Sequence, residues 1–100
     1  MAYPVKFSKT ADRQLVELQS YLTRRFYRTN VERYMERLVA ECMSLGESPH
    51  RGSAREGVRP GIRVIGFERK AAIYFRLANE QVIILAIRYG GYQGRPSSLK

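Results

Sequence analysis

Apolar residues near the start of the chain alternate with polar ones over a short stretch. Residues 3–7 place Lys6 between the apolar Val5 and Phe7. Alternation over a few residues is typical of a half-buried strand, and Pro4 lacks the amide that a central strand needs. The pattern therefore predicts a short strand at residues 3–7 that lies on the edge of a sheet.

Two longer segments carry apolar residues at every third or fourth position, which is the spacing of amphipathic helices. The first covers residues 8–27, where Ser8 and Thr10 offer side-chain oxygens for the helix start. The second follows Asn30, a favourable N-cap residue, and stops at Gly46. Because only a short polar break separates them, the helices are predicted to form an antiparallel hairpin with one shared apolar side.

The second half of the chain changes to short runs rich in β-branched and aromatic residues. Residues 47–61 contain glycine, proline and arginine without periodicity, which predicts a surface loop. Residues 62–67, 71–77 and 82–89 are typical of strands, and turn-sized gaps separate them. This order predicts an antiparallel meander of three strands whose last strand, apolar on both sides, is central in the sheet.

The length and composition fit one domain. A chain of 100 residues with 44% hydrophobic residues has enough apolar side chains for one modest core. The expected fold is α+β over residues 1–100: an N-terminal strand and an antiparallel two-helix hairpin packed on a mainly antiparallel sheet, which the C-terminal meander completes. Residues 95–100 are expected to be a flexible tail.

The net charge of the chain indicates what kind of partner it binds. Lys and Arg number 18 against 9 Asp and Glu, which gives a formal net charge of +9. Residues 51–100 carry 10 basic and 3 acidic side chains, so +7 of the charge lies in the half that holds the meander. Such a balance favours a polyanionic partner, which from charge alone is a nucleic acid, an acidic membrane or an acidic protein.

The small number of cysteine and histidine residues excludes two kinds of site. Cys42 is the only cysteine and His50 the only histidine, so neither an internal disulfide nor a structural zinc site of four such ligands is possible. The chain shows no apolar signal core at its start and no apolar run near the roughly 20 residues that cross a bilayer. A soluble cytoplasmic protein without cofactor or metal is expected.

Three segments carry a resemblance to a known family. They are Tyr3-Pro-Val-Lys-Phe-Ser-Lys-Thr-Ala, then Gly61-Ile-Arg63 with Ala71-Ala-Ile-Tyr-Phe-Arg76, and finally Val82-Ile-Ile-Leu-Ala-Ile-Arg-Tyr-Gly-Gly. The first resembles the opening of the ParE/RelE toxin superfamily, where a basic strand passes into a helix. The second is similar to the Gly-x-Arg and Ile-x-Tyr-x-Val segments of ParE proteins. The third resembles the closing strand, and the three together cover nearly the whole chain in the family's order.

The resemblance implies a toxin of a type II toxin–antitoxin pair. Particular side chains indicate whether the chain resembles the RelE branch or the ParE branch of the superfamily. RelE-like members cut mRNA in the ribosome with a concentrated cationic set. Ala72 stands where they tend to carry a catalytic Arg, and Tyr92-Gln-Gly-Arg95 matches their basic exit poorly. ParE-like members block DNA gyrase by binding it, without chemistry of their own. The ParE branch is therefore expected, with no catalytic residue. A ribosome-dependent mRNA endonuclease is the alternative, and a toxin that has lost its target is a third possibility.

The resemblance also suggests two sets of binding residues. For gyrase these are the cations and tyrosines of the meander and its exit: Arg63, Arg69, Lys70, Arg76, Arg88, Tyr89 and Tyr92. Arg63 and Arg76, with Tyr74, are predicted to share one exposed sheet face. For a ParD-like antitoxin with an acidic C-terminal segment, a groove between the hairpin and the sheet is expected, lined by Leu15, Leu18, Leu22, Tyr74, Ile84 and Ala86. A merely solvated sheet face is the competing interpretation of the basic set.

The tyrosines of the two predicted helices have two interpretations, one as a surface that binds nucleic acid and one as ordinary packing. Tyr21, Tyr27 and Tyr34 suit the stacking of single-stranded nucleic acid, but packing between facing helices, with each hydroxyl in solvent, is favoured. The basic and aromatic run at residues 24–28 is likewise predicted to be an ordinary helix end rather than a contact surface. Cys42 is predicted to be a buried, inert thiol.

Overall fold

A computed structural model describes residues 2–54 and 59–90. Two helices and five strands follow one another along this part of the chain. Their bounds are β1 Val5–Phe7, α1 Lys9–Thr23, α2 Arg28–Ser44, β2 Ser53–Ala54, β3 Arg63–Phe67, β4 Ala71–Ala78 and β5 Gln81–Tyr89. The predicted α+β class, with a helix hairpin packed on one mixed sheet, is confirmed. The predicted tail at residues 95–100 lies outside the described residues.

The strand order in the sheet is β1-β5-β4-β3-β2. β5 lies between the parallel strand β1 and the antiparallel strand β4, so the long apolar strand is internal and β1 is an edge, both as predicted. The two-residue strand β2 lies inside the segment that the sequence predicts to be a loop, and it pairs with β3. A bulge interrupts β5, because Tyr74 pairs with Ala86 while Phe75 pairs with Ile84, which leaves Leu85 unmatched.

The start of α1 agrees with the prediction from the sequence, whereas the position of the hairpin turn does not. The Ser8 hydroxyl accepts a hydrogen bond from the Ala11 amide at 3.0 Å, as an N-cap should. α1 then ends at Thr23 rather than at residue 27. α2 begins at Arg28 instead of after Asn30, because the extended residue Tyr27 is its N-cap and accepts the first helical hydrogen bond.

One core lies between the helix hairpin and one side of the sheet. Its largest fully buried side chains come from α2, the loop after it, β4 and β5, and include Leu38, Leu45, Phe75 and Ile84. α1 packs along β5, so this internal strand lies under the first helix. Cys42 faces this core with no exposed surface, which confirms the prediction of a buried thiol.

Two of the three helix tyrosines differ from the prediction. The Tyr27 side chain is 83% exposed and so does not pack between the helices. The hydroxyl of Tyr34 is buried instead of reaching solvent. The rings of Tyr21 and Tyr34 both pack edge-on against Tyr89 of β5, at centroid distances of 6.1 and 6.2 Å. Tyr21 and Tyr34 therefore contact the sheet through these rings.

A close backbone approach fixes the chain start against the end of α2. The Tyr3 amide donates to the Gly46 carbonyl at 2.8 Å. A Cβ at Gly46 would collide with the Tyr3 carbonyl oxygen and lie 3.0 Å from Val5 Cγ2. Glycine is required here by the space and not by an unusual φ. Within residues 2–54 and 59–90, no helix has the length and apolar character to span a membrane.

Candidate functional site

The side of the sheet that faces away from α1 and α2 is here called the outer face. Its members follow from the register of the strands, because cross-strand partners point to the same side. Phe75, Ile84 and Val82 belong to the core, so their chain neighbours point outward. The outer face comprises Lys6 of β1, Val64 and Gly66 of β3, Ala72, Tyr74 and Arg76 of β4, and Ile83, Ala86 and Arg88 of β5.

Three cations lie on the outer face. Ile83 is the cross-strand partner of both Lys6 and Arg76, so the two cations flank it with their Cα atoms about 10 Å apart, given strand spacings near 4.8 Å. Arg88 lies at the other end of the face, opposite Ala72. Strands β1, β3, β4 and β5 contain no Asp or Glu. The face therefore presents positive charge without an acidic neighbour in its own strands.

An apolar strip lies among these cations. Tyr74 is the cross-strand partner of Ala86, and both are at least nine-tenths buried although they are not part of the core under the helices. Ile83 is half-buried. The surface that a partner can reach therefore combines guanidinium groups with the half-exposed Ile83, which suits a partner that offers both carboxylates and apolar groups.

Arg63 does not lie on the outer face. It pairs with Phe75 and therefore points to the helix side of the sheet, opposite to Arg76. Its guanidinium donates to the carbonyls of residues 50, 51 and 52 at 2.7, 2.9 and 2.8 Å. The prediction that Arg63 and Arg76 share an exposed face is wrong, because the side to which Arg63 points is set by its register with β4 and by these carbonyl acceptors.

The turn between β3 and β4 brings the next two predicted cations, Arg69 and Lys70, to one end of the sheet. Glu68 and Arg69 have positive φ angles of 48° and 70°, a conformation that costs energy for residues other than glycine. The Lys70 carbonyl accepts a hydrogen bond from the Gly90 amide at 2.6 Å, so the turn lies beside the end of β5. Arg69 and Lys70 are thereby placed near Arg88.

An ion pair ties this turn to α2. Arg37 donates from Nε and Nη2 to the two carboxylate oxygens of Glu68 at 2.8 and 3.0 Å. The hydrogen bonds from Arg37 hold the pKa of the Glu68 carboxyl below its ordinary value, and the same bonds raise the pKa of Arg37. The side chains of Arg37 and Glu68 are 53% and 40% exposed, so salt weakens the pair. The sequence gives no sign of this contact across 31 positions.

The remaining predicted gyrase contacts divide between two locations. Tyr89 is the partner of Ala71 and points to the helix side, where its ring meets Tyr21 and Tyr34. It therefore does not accompany Arg88 on the outer face. Tyr92 lies outside the described residues. Lys6, which was missing from the predicted set, does belong to the outer face, and its alternation with Val5 and Phe7 was the available signal.

The six residues predicted to contact an antitoxin do not line one groove. Leu18, Leu22 and Ile84 are at most 3% exposed and lie in the core between the helices and the sheet. Leu15 is half-buried on α1, whereas Tyr74 and Ala86 lie on the outer face. The prediction of a single groove floor is wrong, since regular apolar spacing on a helix marks the side that the sheet itself covers.

Comparisons with known proteins show the family through a family model and the fold through solved structures. The family model described as the ParE toxin of the type II toxin–antitoxin system parDE matches residues 5–93. Among curated proteins, none has a sequence that matches this chain. The solved chromosomal ParDE system from P. aeruginosa is similar with a TM-score of 0.77 and 19% identity, over 88% of this chain and 96% of that chain.

Two further solved structures share the fold. The RelBE2 toxin–antitoxin complex from Mycobacterium tuberculosis has a TM-score of 0.63 and 20% identity, over 89% of this chain and 99% of that one. A mutant of the E. coli toxin RelE in the free state has a TM-score of 0.59 and 17% identity, over 89% of this chain and 84% of that one. At these identities the likeness concerns the fold, which hosts different activities.

Proposed function

The chain belongs to the ParE family of type II toxin–antitoxin toxins, and on that premise we propose that it inhibits DNA gyrase by binding it and that a cognate antitoxin neutralises it. The observation that supports this most is the outer face, where Lys6, Arg76 and Arg88 surround an apolar strip. Arg69 and Lys70 extend the positive charge beyond the end of the face. Such a surface binds a partner through complementary charge and steers its approach.

In inhibition by binding, the cations of the outer face would only contact the partner. Guanidinium groups donate hydrogen bonds in a planar fork that matches carboxylates and phosphates, and gyrase engaged with DNA offers both. Arg76 and Lys6 are exposed and free to reach a partner from the two sides of Ile83. Arg88 is half-buried and would contact the partner near the β3–β4 turn. No bond is made or broken in this scheme.

Neutralisation follows if an acidic segment of the antitoxin covers the same face. Burial of the half-exposed Ile83 would add to the attraction between its carboxylates and the three cations. Leu18, Leu22 and Ile84 have no part in this proposal because they are already buried between the helices and the sheet. Antitoxin and gyrase would then exclude each other by competing for one surface.

The experiment is a gyrase supercoiling and DNA-cleavage assay with purified protein, with and without an antitoxin from the adjacent reading frame. The chain is expected to inhibit supercoiling, and the antitoxin to reverse the effect. Replacement of Lys6, Arg76 and Arg88 together by Ala should weaken inhibition by about tenfold or more, since three charged contacts are lost. The matched control is Arg33→Ala, which removes an exposed arginine from α2.

Three results would contradict the proposal. If supercoiling and plasmid cleavage are unaffected while purified ribosomes yield cut mRNA, the protein is an endonuclease on the same fold. If the triple variant and Arg33→Ala inhibit gyrase equally, the outer face is not the contact surface. A protein that affects neither gyrase nor mRNA but binds its antitoxin would be a toxin without its target.

A further inference from the structure

The bulge in β5 decides to which side of the sheet Arg88 points. Ile84 faces the core, and strict alternation from it would send Arg88 to the helix side as well. The unmatched residue Leu85 moves every later side chain of the strand to the opposite side. Ile87 therefore joins the core, Tyr89 packs on the rings of the helices, and Arg88 points to the outer face.

The bulge lies where β5 loses its neighbour along one edge. β1 pairs with β5 only from Val82 to Ile84. Beyond Ile84, this edge of β5 has no strand partner in residues 2–54 and 59–90. A buried backbone amide or carbonyl without a partner is unfavourable, so a bulge at this point depends on groups from outside the sheet. The helix α1 follows β1 and packs along β5, which places it to supply them.

The N-cap of α1 and one side chain of the helix satisfy the backbone of the bulge. The Ser8 amide donates to the Ile84 carbonyl at 3.0 Å, and the Ser8 hydroxyl donates to the Leu85 carbonyl at 3.1 Å. The Ile87 amide donates to Oε1 of Gln14 at 2.7 Å. Three backbone groups within four residues of β5 are therefore bound by the start of the first helix.

Of these two residues, Gln14 has the role that can be tested separately. The Ser8 hydroxyl also accepts from the Ala11 amide at 3.0 Å, so replacement of Ser8 would disturb the helix start together with the bulge. Gln14 lies in the second turn of α1 and is half-buried. Its replacement releases one amide of β5 and leaves the N-cap in place.

The bond to Gln14 bears on the outer face because Ile87 directly precedes Arg88 in the chain. Burial of the Ile87 side chain and the ring contacts of Tyr89 also favour the observed side for each residue. Gln14 adds an acceptor that fixes the backbone itself. Without this acceptor, the segment that carries Arg88 would lose its fixed position relative to the other two cations of the outer face.

We propose that Gln14 is a positioning residue for the outer face, which holds β5 at the bulge so that Arg88 is presented to a partner. It acts through Arg88 and does not contact the partner, because it belongs to the helix that covers the other side of the sheet. The proposal rests on the proposed function for the identity of that partner. The orientation of Arg88 is measurable without any partner.

The first test is NMR spectroscopy of the full chain without gyrase or antitoxin. Gln14→Met removes the acceptor at similar side-chain length, whereas Gln14→Glu keeps an oxygen acceptor. Hydrogen exchange of the Ile87 amide is expected to be about fivefold faster or more in Gln14→Met, and unchanged in Gln14→Glu. Cross-peaks between the side chain of Arg88 and the methyl group of its cross-strand partner Ala72 should weaken in Gln14→Met alone.

The second test is a double-mutant cycle in the gyrase supercoiling assay. A residue that acts through Arg88 has an effect only while Arg88 is present. Gln14→Met is expected to weaken inhibition by about threefold or more in the parent, and by less than about 1.5-fold in the Arg88→Ala background. Gln14→Glu should inhibit like the parent. Equal losses in the two backgrounds would show a general loss of stability and would overturn the positioning role.

The matched control is Gln19→Met, the same substitution at an exposed position of α1. It should leave the exchange rate, the cross-peaks and the inhibition as in the parent, and a thermal melt reports whether each variant folds. Unchanged cross-peaks in a folded Gln14→Met variant, or rapid exchange of the Ile87 amide in the parent itself, would also overturn the proposal. A parent chain without effect on gyrase contradicts the proposed function, while the NMR comparison still decides the role of Gln14.

Discussion

Arg63 is the cross-strand neighbour of Phe75, and this relationship places its guanidinium under the loop that follows α2. From there it donates to three successive carbonyls, those of His50, Arg51 and Gly52. Arg76, one residue beyond Phe75, points to the outer face. Two arginines of neighbouring strands therefore have different roles, with Arg63 holding the loop and β2 in place and Arg76 available to a partner.

Replacement of Arg63 by Ala should lower the free energy of unfolding by about 2 kcal/mol, because the carbonyls lose a charged donor. For a domain of this size that corresponds to a Tm lower by roughly 8–16 °C, measurable by circular dichroism. Arg63→Lys keeps the charge but not the fork and should lose most of the same stability. Arg76→Ala is the control and should melt like the parent. A parent-like Tm for Arg63→Ala would contradict the anchoring role.

Substitution of Gly46 is expected to cause a second loss of stability. In Gly46→Ala the new methyl group would overlap the Tyr3 carbonyl oxygen and crowd Val5 Cγ2. Crowding of this kind should lower the free energy of unfolding by about 1–3 kcal/mol in urea denaturation. Gly66→Ala is the matched control, since the nearest atom to its new methyl is the Ala71 carbonyl oxygen at 4.0 Å. Equal stability of the two variants would show that the chain start does not press on Gly46.

The Glu68 carboxyl should titrate below the ordinary glutamate value, which carbon-detected NMR measures directly. Its pKa is lowered in the folded state, so its contribution to stability is complete above the unfolded pKa and is lost as pH falls through the folded pKa. In Arg37→Ala the pKa of Glu68 should return towards the ordinary value, whereas Arg33→Ala should leave it where it is. The same pKa in the parent and in Arg37→Ala would rule out Arg37 as the cause.

The Cys42 thiol should be unreactive while the protein is folded. Burial raises its pKa to about 12, so hardly any thiolate exists at neutral pH, and the sulfur has no exposed surface. Alkylation by iodoacetamide, followed by mass spectrometry, should be slow in buffer and fast in denaturant. The rate in buffer should follow the population of unfolded chains. Rapid alkylation in buffer at neutral pH, matching the rate in denaturant, would contradict the burial of this residue.

Local pattern was enough for much of the fold. The helical spacing of α1 and α2, the edge position of β1 beside Pro4 and the meander of β3, β4 and β5 were all predictable from sequence. The burial of Cys42 followed from the apolar side of α2 in the same way. These features depend on side chains within a few positions of one another, and the periods of helix and strand translate such spacing directly into a face.

The end of the hairpin was harder to predict than its existence. Asn30 has the side chain of a good cap, yet α2 begins at Arg28, and its N-cap is Tyr27, three positions before Asn30. Leu22 and Val31, on either side of the turn, are each only 3% exposed, and their burial in the core favours the earlier start of α2. Tertiary packing thus overrides the local preference of a capping residue.

The sequence by itself determined two amphipathic helices, a basic meander, an inert thiol and the resemblance to a toxin family. Only the tertiary structure decided that Lys6 joins Arg76 around Ile83, that Arg63 turns to the helix side, and that Arg37 reaches Glu68. The physical reason is register. Alternation along one strand shows that its residues have two sides, but pairing with distant strands decides which side meets the helices and which meets a partner.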